Sequence, residues 1–213
     1  MPYENNLNLI CDFLNSNPMF YPGTNSSGQR FDSFTDEMKQ TIENKFNTGM
    51  EKIGNYQTNP NTQPWDPAWS LILRTKFPDA NLPDDLQMAF IKSYQKSAEQ
   101  IGGNILEHYI DSVIQTEGWV WAFGEVVSHT DFIKKEDDGS WKLLQIKARF
   151  NTENSSQKGS RLSMVRETGQ EILHWFRFKQ NGQTNWENFP IESSNINLSE
   201  QNFQTFIRNN VES

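Results

Sequence analysis

WKLLQIKARFNTENSS, residues 141–156, decides how this chain folds. It starts as a strand and ends as a polar loop. Leu144, Ile146 and Ala148 fall on one face, and Gln145, Lys147 and Arg149 on the other, which is the period of two of a β-strand. An amide and an ammonium two positions apart in a strand-forming run call for a physical reason, and the preceding segment supplies one.

Upstream, WVWAFGEVVSHTDFIKK (119–135) is rich in β-branched and aromatic residues and reads as strand-forming. Asp137-Asp138-Gly139 fits a three-residue hairpin loop, a type I turn whose last residue is left-handed, where glycine avoids the Cβ penalty. With that loop Glu136 faces Ser140, and antiparallel counting sets Asp131 opposite Gln145. Opposed residues share a side of the sheet, with Cβ atoms about 4.5–5.5 Å apart. Lys147 is then the diagonal neighbour of Asp131, near His129. A loop one residue longer or shorter moves Asp131 to the wrong face.

An aspartate, an oxygen ligand two residues before a lysine, and the lysine are what Mg²⁺-dependent phosphodiester cleavage requires. A hard cation wants oxygen donors. Asp131 offers an anionic one, Gln145 its amide oxygen and Ile146 its carbonyl. Lys147 orients the attacking water and offsets charge on the phosphate. A further carboxylate is wanted, and Glu125, Asp111 and Glu107 are the candidates. The plainer alternative for the whole group is a solvent-facing side of a sheet with an Asp–Lys pair.

Composition sets the frame. The 213 residues suit a single domain with its own core, whose hydrophobic fraction of 35% is enriched by 15 Phe and 7 Trp. Cys11 is the sole cysteine, which excludes an intrachain disulfide and a cysteine-based metal site. MPYENNLNLI does not read as a signal peptide, and no apolar run approaches the roughly 20 residues of a membrane span. A reducing, cytoplasmic setting without a membrane is the expectation. The net charge of -8 is unevenly spread: residues 131–180 hold ten Lys/Arg against seven Asp/Glu, so base collects in the centre and acid in the flanks. A local basic field suffices for a groove that binds phosphate.

Along the chain, residues 1–100 read as a mostly helical part, 101–195 as the core, and 196–213 as a C-terminal helix. Pro18 stops a first helix. Ser33 and Asp36 suit a capping box for DEMKQTIENKFNTGMEKI. AWSLILRTKF and LPDDLQMAFIKSYQKSAEQ read as further helices, with an interruption at Gly102-Gly103 and a new start at Asn104. In that new helix Glu107 and Asp111 stand one turn apart, where a cap partner and a solvated acid are the plainer reading. After NTENSSQKGS, the run RLSMVRETGQEILHWFRF reads as helical. The expected class is α+β, a mixed sheet flanked by helices.

Thr130-Asp131 followed by Gln145-Ile146-Lys147 resembles the PD-(D/E)xK nuclease signature, with glutamine where glutamate is usual. The downstream run is more specific. KARFNTENSS, a helix ending in HWFRF and then GQTNWENFP resemble type II restriction endonucleases of the SinI group, over about residues 100–195 and more loosely before. That resemblance implies a restriction-endonuclease-like core, Mg²⁺, and double-strand cleavage at a short site, GGWCC in that group. It also implies a homodimer and a cognate DNA methyltransferase that protects host DNA.

The residues after Lys147 suit such a role. Arg149, Asn151, Asn154, Ser155, Ser156, Lys158 and Arg161 combine guanine-reading and adenine-reading types with phosphate binders; ordinary surface polarity is the other reading. His108, His129 and His174 are too scattered for a zinc site. Trp119, Trp121, Trp175 and Trp186 read as core. A non-catalytic nucleic-acid-binding protein using segment 131–180, or an aromatic carbohydrate-binding module, are the competing functions.

Overall fold

The computed structural model describes residues 3–25, 27–51, 53, 71–72, 75, 95–148, 155–191, 193 and 195–210. Two compact units are formed, each from two stretches of chain: 1–51 with 114–193, and 52–113 with 194–213. The units interleave in sequence.

The first unit holds a four-stranded mixed sheet in the order β1-β2-β3-β4, with β1 Val120–Trp121, β2 Phe132–Lys135, β3 Trp141–Lys147 and β4 Ile172–Phe176. β1, β2 and β3 are antiparallel and β4 joins β3 in parallel. Helix α4, Ser155–Thr168, lies between β3 and β4 in the chain, because parallel neighbours need a long crossover. Here one expectation fails: EILHWFRF ends no helix. Residues 172–176 are a strand, whose successive side chains Ile172 and Leu173 meet opposite faces of the sheet.

The hairpin forms as its glycine requires. Gly139 has φ 83°, Gly139 N–H donates to the Glu136 carbonyl at 2.9 Å, and Glu136 N–H donates to the Ser140 carbonyl at 2.9 Å. Phe132 therefore pairs with Leu144 and Ile133 with Leu143.

That register builds an apolar row across the sheet. Val120, Ile133, Leu143 and Ile172 are successive partners, and they share a core with Ile10, Phe13 and Leu14 of α1 (Glu4–Ser16), Ile42 and Phe46 of α2 (Asp36–Met50), and Met164 of α4. The buried positions recur every three or four residues in α1 and α2, as a helix with one apolar stripe demands. Asn17 closes α1, its Nδ2 donating to the Phe13 carbonyl at 3.1 Å, and Pro18 stops it. Thr35, rather than Ser33, caps α2: its hydroxyl accepts from Met38 N–H at 3.3 Å.

On the opposite face, Trp121 stacks with Phe132 at 6.4 Å, and Trp175 meets Trp186 at 4.8 Å and Phe189 at 5.1 Å. All four tryptophans read as core, Trp119 included, are buried.

In the second unit, α3 (Gln95–Ile114) runs unbroken through Gly102-Gly103, so the expected helix start at Asn104 does not exist. Tyr109 of α3 contacts Phe203 and Phe206 of α5 (Glu200–Asn210) at 5.4 and 5.5 Å, and its oxygen accepts from Ser199 N–H at 3.2 Å. Of the helices read at 68–77 and 82–100, only residues 71–72 and 75 of the first and 95–100 of the second lie within the described residues; all are helical, and 95–100 form the start of α3. Among the described residues, no helix is long and apolar enough to cross a membrane.

Candidate active site

The face of the sheet that is apolar at Leu143 and Ile172 turns polar one step further along both strands. Gln145 pairs with His174, and Lys147 with Phe176. Gln145 is only 6% exposed, so this position is buried and occupied by an amide. Asp131 and Lys147 on either side of it are half-buried.

Asp131 stands just before β2, one residue beyond the last β2–β3 pair, Phe132 with Leu144. Its N–H donates to the Leu144 carbonyl at 2.9 Å, and its Oδ2 accepts from Ile146 N–H at 2.6 Å. These two bonds straddle Gln145 and tie the carboxylate to β3 beyond the last β2–β3 pair. A strand residue's N–H and C=O point to the same neighbour, so the Ile146 carbonyl faces the edge where Asp131 lies.

The electrostatics agree with the geometry. Burial pushes the Asp131 carboxyl up to about 6; the Ile146 N–H bond and the Lys147 charge pull it down, and the Glu125 carboxylate pushes it up again. Glu125 is exposed and sits on the connection 122–131 in left-handed backbone, φ 56°, as does His129 at φ 58°. Such backbone in residues other than glycine costs on the order of 1–3 kcal/mol, and packing must impose it.

Can these residues hold a hard cation? Gln145 Oε1 is buried and has no hydrogen-bond partner among the described residues, as is also true of Thr130 Oγ1. A buried unmatched carbonyl oxygen costs on the order of 1–3 kcal/mol. A cation contacting it removes that cost. Asp131 keeps one carboxylate oxygen beyond the Ile146 bond. The donors are all oxygen, which fits Mg²⁺. Among the described residues no three His, Cys, Asp or Glu side chains gather as a metal site, so a cation here depends on the amide and on a backbone carbonyl.

Of the other expected ligands, Glu107 and Asp111 occupy one face of α3 in the second unit. Asp111 is 1% exposed, which corrects its reading as a solvated acid, and the unbroken helix removes the capping role of Glu107. Arg149, Asn151 and Asn154 lie outside the described residues. Ser155, Ser156 and Lys158 belong to the first two turns of α4, and Arg161 is half-buried on the same helix. His108, His129 and His174 are all half-buried and do not converge with carboxylates on a metal site among the described residues.

Two features escaped the sequence. His174 lies beside Gln145 only because 172–176 is a parallel strand, and no local signal marks that pairing. Arg177, 1% exposed, follows β4 with its N–H donating to the Lys147 carbonyl at 2.9 Å; its position next to HWF was the available hint.

The chain matches the SinI restriction endonuclease family over residues 3–213, well beyond the 100–195 over which the resemblance was read. Similar proteins include the type II restriction enzyme Eco47I of Escherichia coli, 39% identical over 158 residues, which covers 71% of this chain and 64% of that protein. The type II restriction enzyme SinI of Salmonella infantis is 36% identical over 165 residues, covering 76% of this chain and 67% of its own length. The chain thus spans less than two thirds of the first relative's length.

Proposed function

The chain belongs to the SinI restriction endonuclease family, and on that premise we propose that it is a type II restriction endonuclease that hydrolyses both strands of DNA with Mg²⁺. The core is read as PD-(D/E)xK-like, with Thr130-Asp131 and Gln145-Ile146-Lys147 as its signature. The observation that carries the reading is the buried Gln145 Oε1, without a hydrogen-bond partner among the described residues, next in the strand to Ile146, whose N–H holds the Asp131 carboxylate.

Asp131, Gln145 Oε1, the Ile146 carbonyl and Glu125 would hold the cation. When bound, Mg²⁺ supplies Lewis-acid polarisation of the scissile phosphate and acidifies water. Lys147 orients the attacking water through Nζ and offsets negative charge growing on the phosphate oxygens. The Ile146 N–H fixes Asp131 Oδ2 and so leaves the other oxygen to face the ion. The buried rows beneath, Leu143 and Leu144, give the polar end a rigid base. DNA contact is assigned to Arg149, Asn151, Asn154, Ser155, Ser156, Lys158 and Arg161, because they follow Lys147 directly and lead into α4. A GGWCC-like site, a homodimer, a cognate DNA methyltransferase and a cytoplasmic setting complete the reading by resemblance.

Digestion of plasmid DNA tests it. Discrete fragments with Mg²⁺ and none with EDTA support the proposal. A gel shift without cleavage, in Mg²⁺ and Mn²⁺ alike, would replace it with a non-catalytic nucleic-acid-binding protein.

A further inference from the structure

The connection that carries Glu125 is fixed at three points. Ala122 N–H donates to the Asp131 carbonyl at 2.8 Å and closes the loop on itself. Ser128 N–H donates to the Phe20 carbonyl at 2.8 Å, and Arg30 Nη1 donates to Ser128 Oγ at 3.1 Å while also reaching the Tyr21 and Gly23 carbonyls at 3.2 Å each. The third point is Phe123, whose ring lies on Gly49 near the end of α2.

At Gly49 a Cβ would stand 2.5 Å from Phe123 Cδ1 and 2.7 Å from Cε1. The ring has little room to step aside. It is 7% exposed and meets Trp121 edge-on at 4.6 Å. Gly124 follows with φ 82°, and a Cβ there would lie 3.5 Å from the Lys45 carbonyl of the same helix. Helix and loop therefore meet at Gly49, where a side chain would collide with the Phe123 ring, and at Gly124, where the left-handed backbone favours glycine.

We propose that Gly49 is a positioning residue for Glu125: the missing side chain seats Phe123, and seated Phe123 sets where the Glu125 carboxylate stands relative to Asp131. This rests on the reading of Asp131, Gln145 and Glu125 as cation ligands. The left-handed backbone at Glu125 has no local preference to sustain it, so the packing at Phe123 must do so. Carbon atoms pack at about 3.5–4.0 Å, so a methyl at position 49 moves the ring by roughly 1 Å. A displacement of that size at a ligand-bearing loop is enough to spoil a coordination geometry.

Calcium titration calorimetry on the full chain tests the proposal, without using cleavage as the readout. Gly49→Ala, which suits a helix intrinsically, weakens Ca²⁺ binding about tenfold and leaves the melting temperature within a few degrees of the parent. Glu125→Gln weakens it also, and Gly49→Ala adds nothing further in that background, as expected of residues acting through one another. Gly49→Ala with Phe123→Leu, which makes room for the methyl, regains most of the affinity.

Losses that multiply in the double variant, or a Gly49→Ala protein that binds Ca²⁺ as the parent does while Glu125→Gln is impaired, overturn the positioning role alone. A parent protein that takes up no Ca²⁺ overturns the cation reading, and the inference with it. If Gly49→Ala does not fold, Phe123→Leu alone makes the same comparison. It should weaken Ca²⁺ binding several-fold with Glu125 present and change nothing in the Glu125→Gln background; equal effects in both backgrounds refute the idea.

Discussion

Asp131→Asn separates stability from activity. In the metal-free protein the Asp131 carboxyl is pushed up from 3.8 to about 6, first by burial and then by Glu125, against the pull of the Ile146 N–H and Lys147. A raised acid in the folded state means that the unfolded chain releases its proton first. Relative to a neutral side chain, the wild type therefore loses stability as the pH rises from about 4 to about 6, and the loss is complete above that. A shift of about two units corresponds to at most about 3 kcal/mol. Asparagine keeps an oxygen to accept from Ile146 N–H and carries no charge. In EDTA at pH 8, Asp131→Asn should melt higher than wild type by several degrees, with about 10 °C as the ceiling for a chain of this size. At pH 4 the two should melt together. Millimolar Ca²⁺ should stabilise the wild type and not the variant, since only a native-state ligand shifts the melting point. Cleavage should be lost. A variant less stable than wild type at pH 8, or an advantage that persists at pH 4, would refute the account of Asp131 as a desolvated carboxylate waiting for a cation.

Lys147→Ala should cut cleavage by at least about 100-fold while DNA binding in Ca²⁺, read by gel shift, stays near wild type; retained turnover would remove Lys147 from the chemistry. Gln145→Glu adds an anionic donor at the buried amide position and should keep activity with less Mg²⁺ needed for half-maximal rate, whereas a folded, inactive protein would show that the amide has a different task. Gly139→Ala places a Cβ on left-handed backbone at φ 83° and should lower the melting temperature by about 2–4 °C, for a cost of about 1 kcal/mol, with the Mg²⁺ requirement unchanged. A shifted Mg²⁺ requirement in that variant would mean that the turn does more than set register.

The hairpin was legible because local rules govern it. Three residues, Asp137 to Gly139, fix the register of β2 and β3, whose last pair, Phe132 with Leu144, is followed by Asp131, bonded to the Leu144 carbonyl and the Ile146 N–H. Less could be read where tertiary context decides. EILHWFRF carries apolar residues at spacings that suit both a helix and a two-sided strand, and only its parallel pairing with β3 resolves the choice. Gly102-Gly103 signals a break, but Gly102 is buried inside α3, where packing outweighs the intrinsic cost of glycine. The alternation in β3 separates a polar face from an apolar one; the buried Gln145 shows that alternation reports chemistry on two faces and not which face meets water. The place of Glu125 could not be read from sequence, because it depends on a loop with φ 56° at its own position and on Phe123 packing against Gly49, neither of which has a period to read.

The central claim is that Asp131 and Gln145 share one divalent ion at the end of β3. Anomalous scattering from crystals of the protein grown with Mn²⁺ tests it most directly. The account predicts a peak about 2.0–2.5 Å from a carboxylate oxygen of Asp131 and from Gln145 Oε1, with Lys147 Nζ nearby and unligated. A Mn²⁺ peak held elsewhere, with Gln145 still buried and unligated, would contradict it.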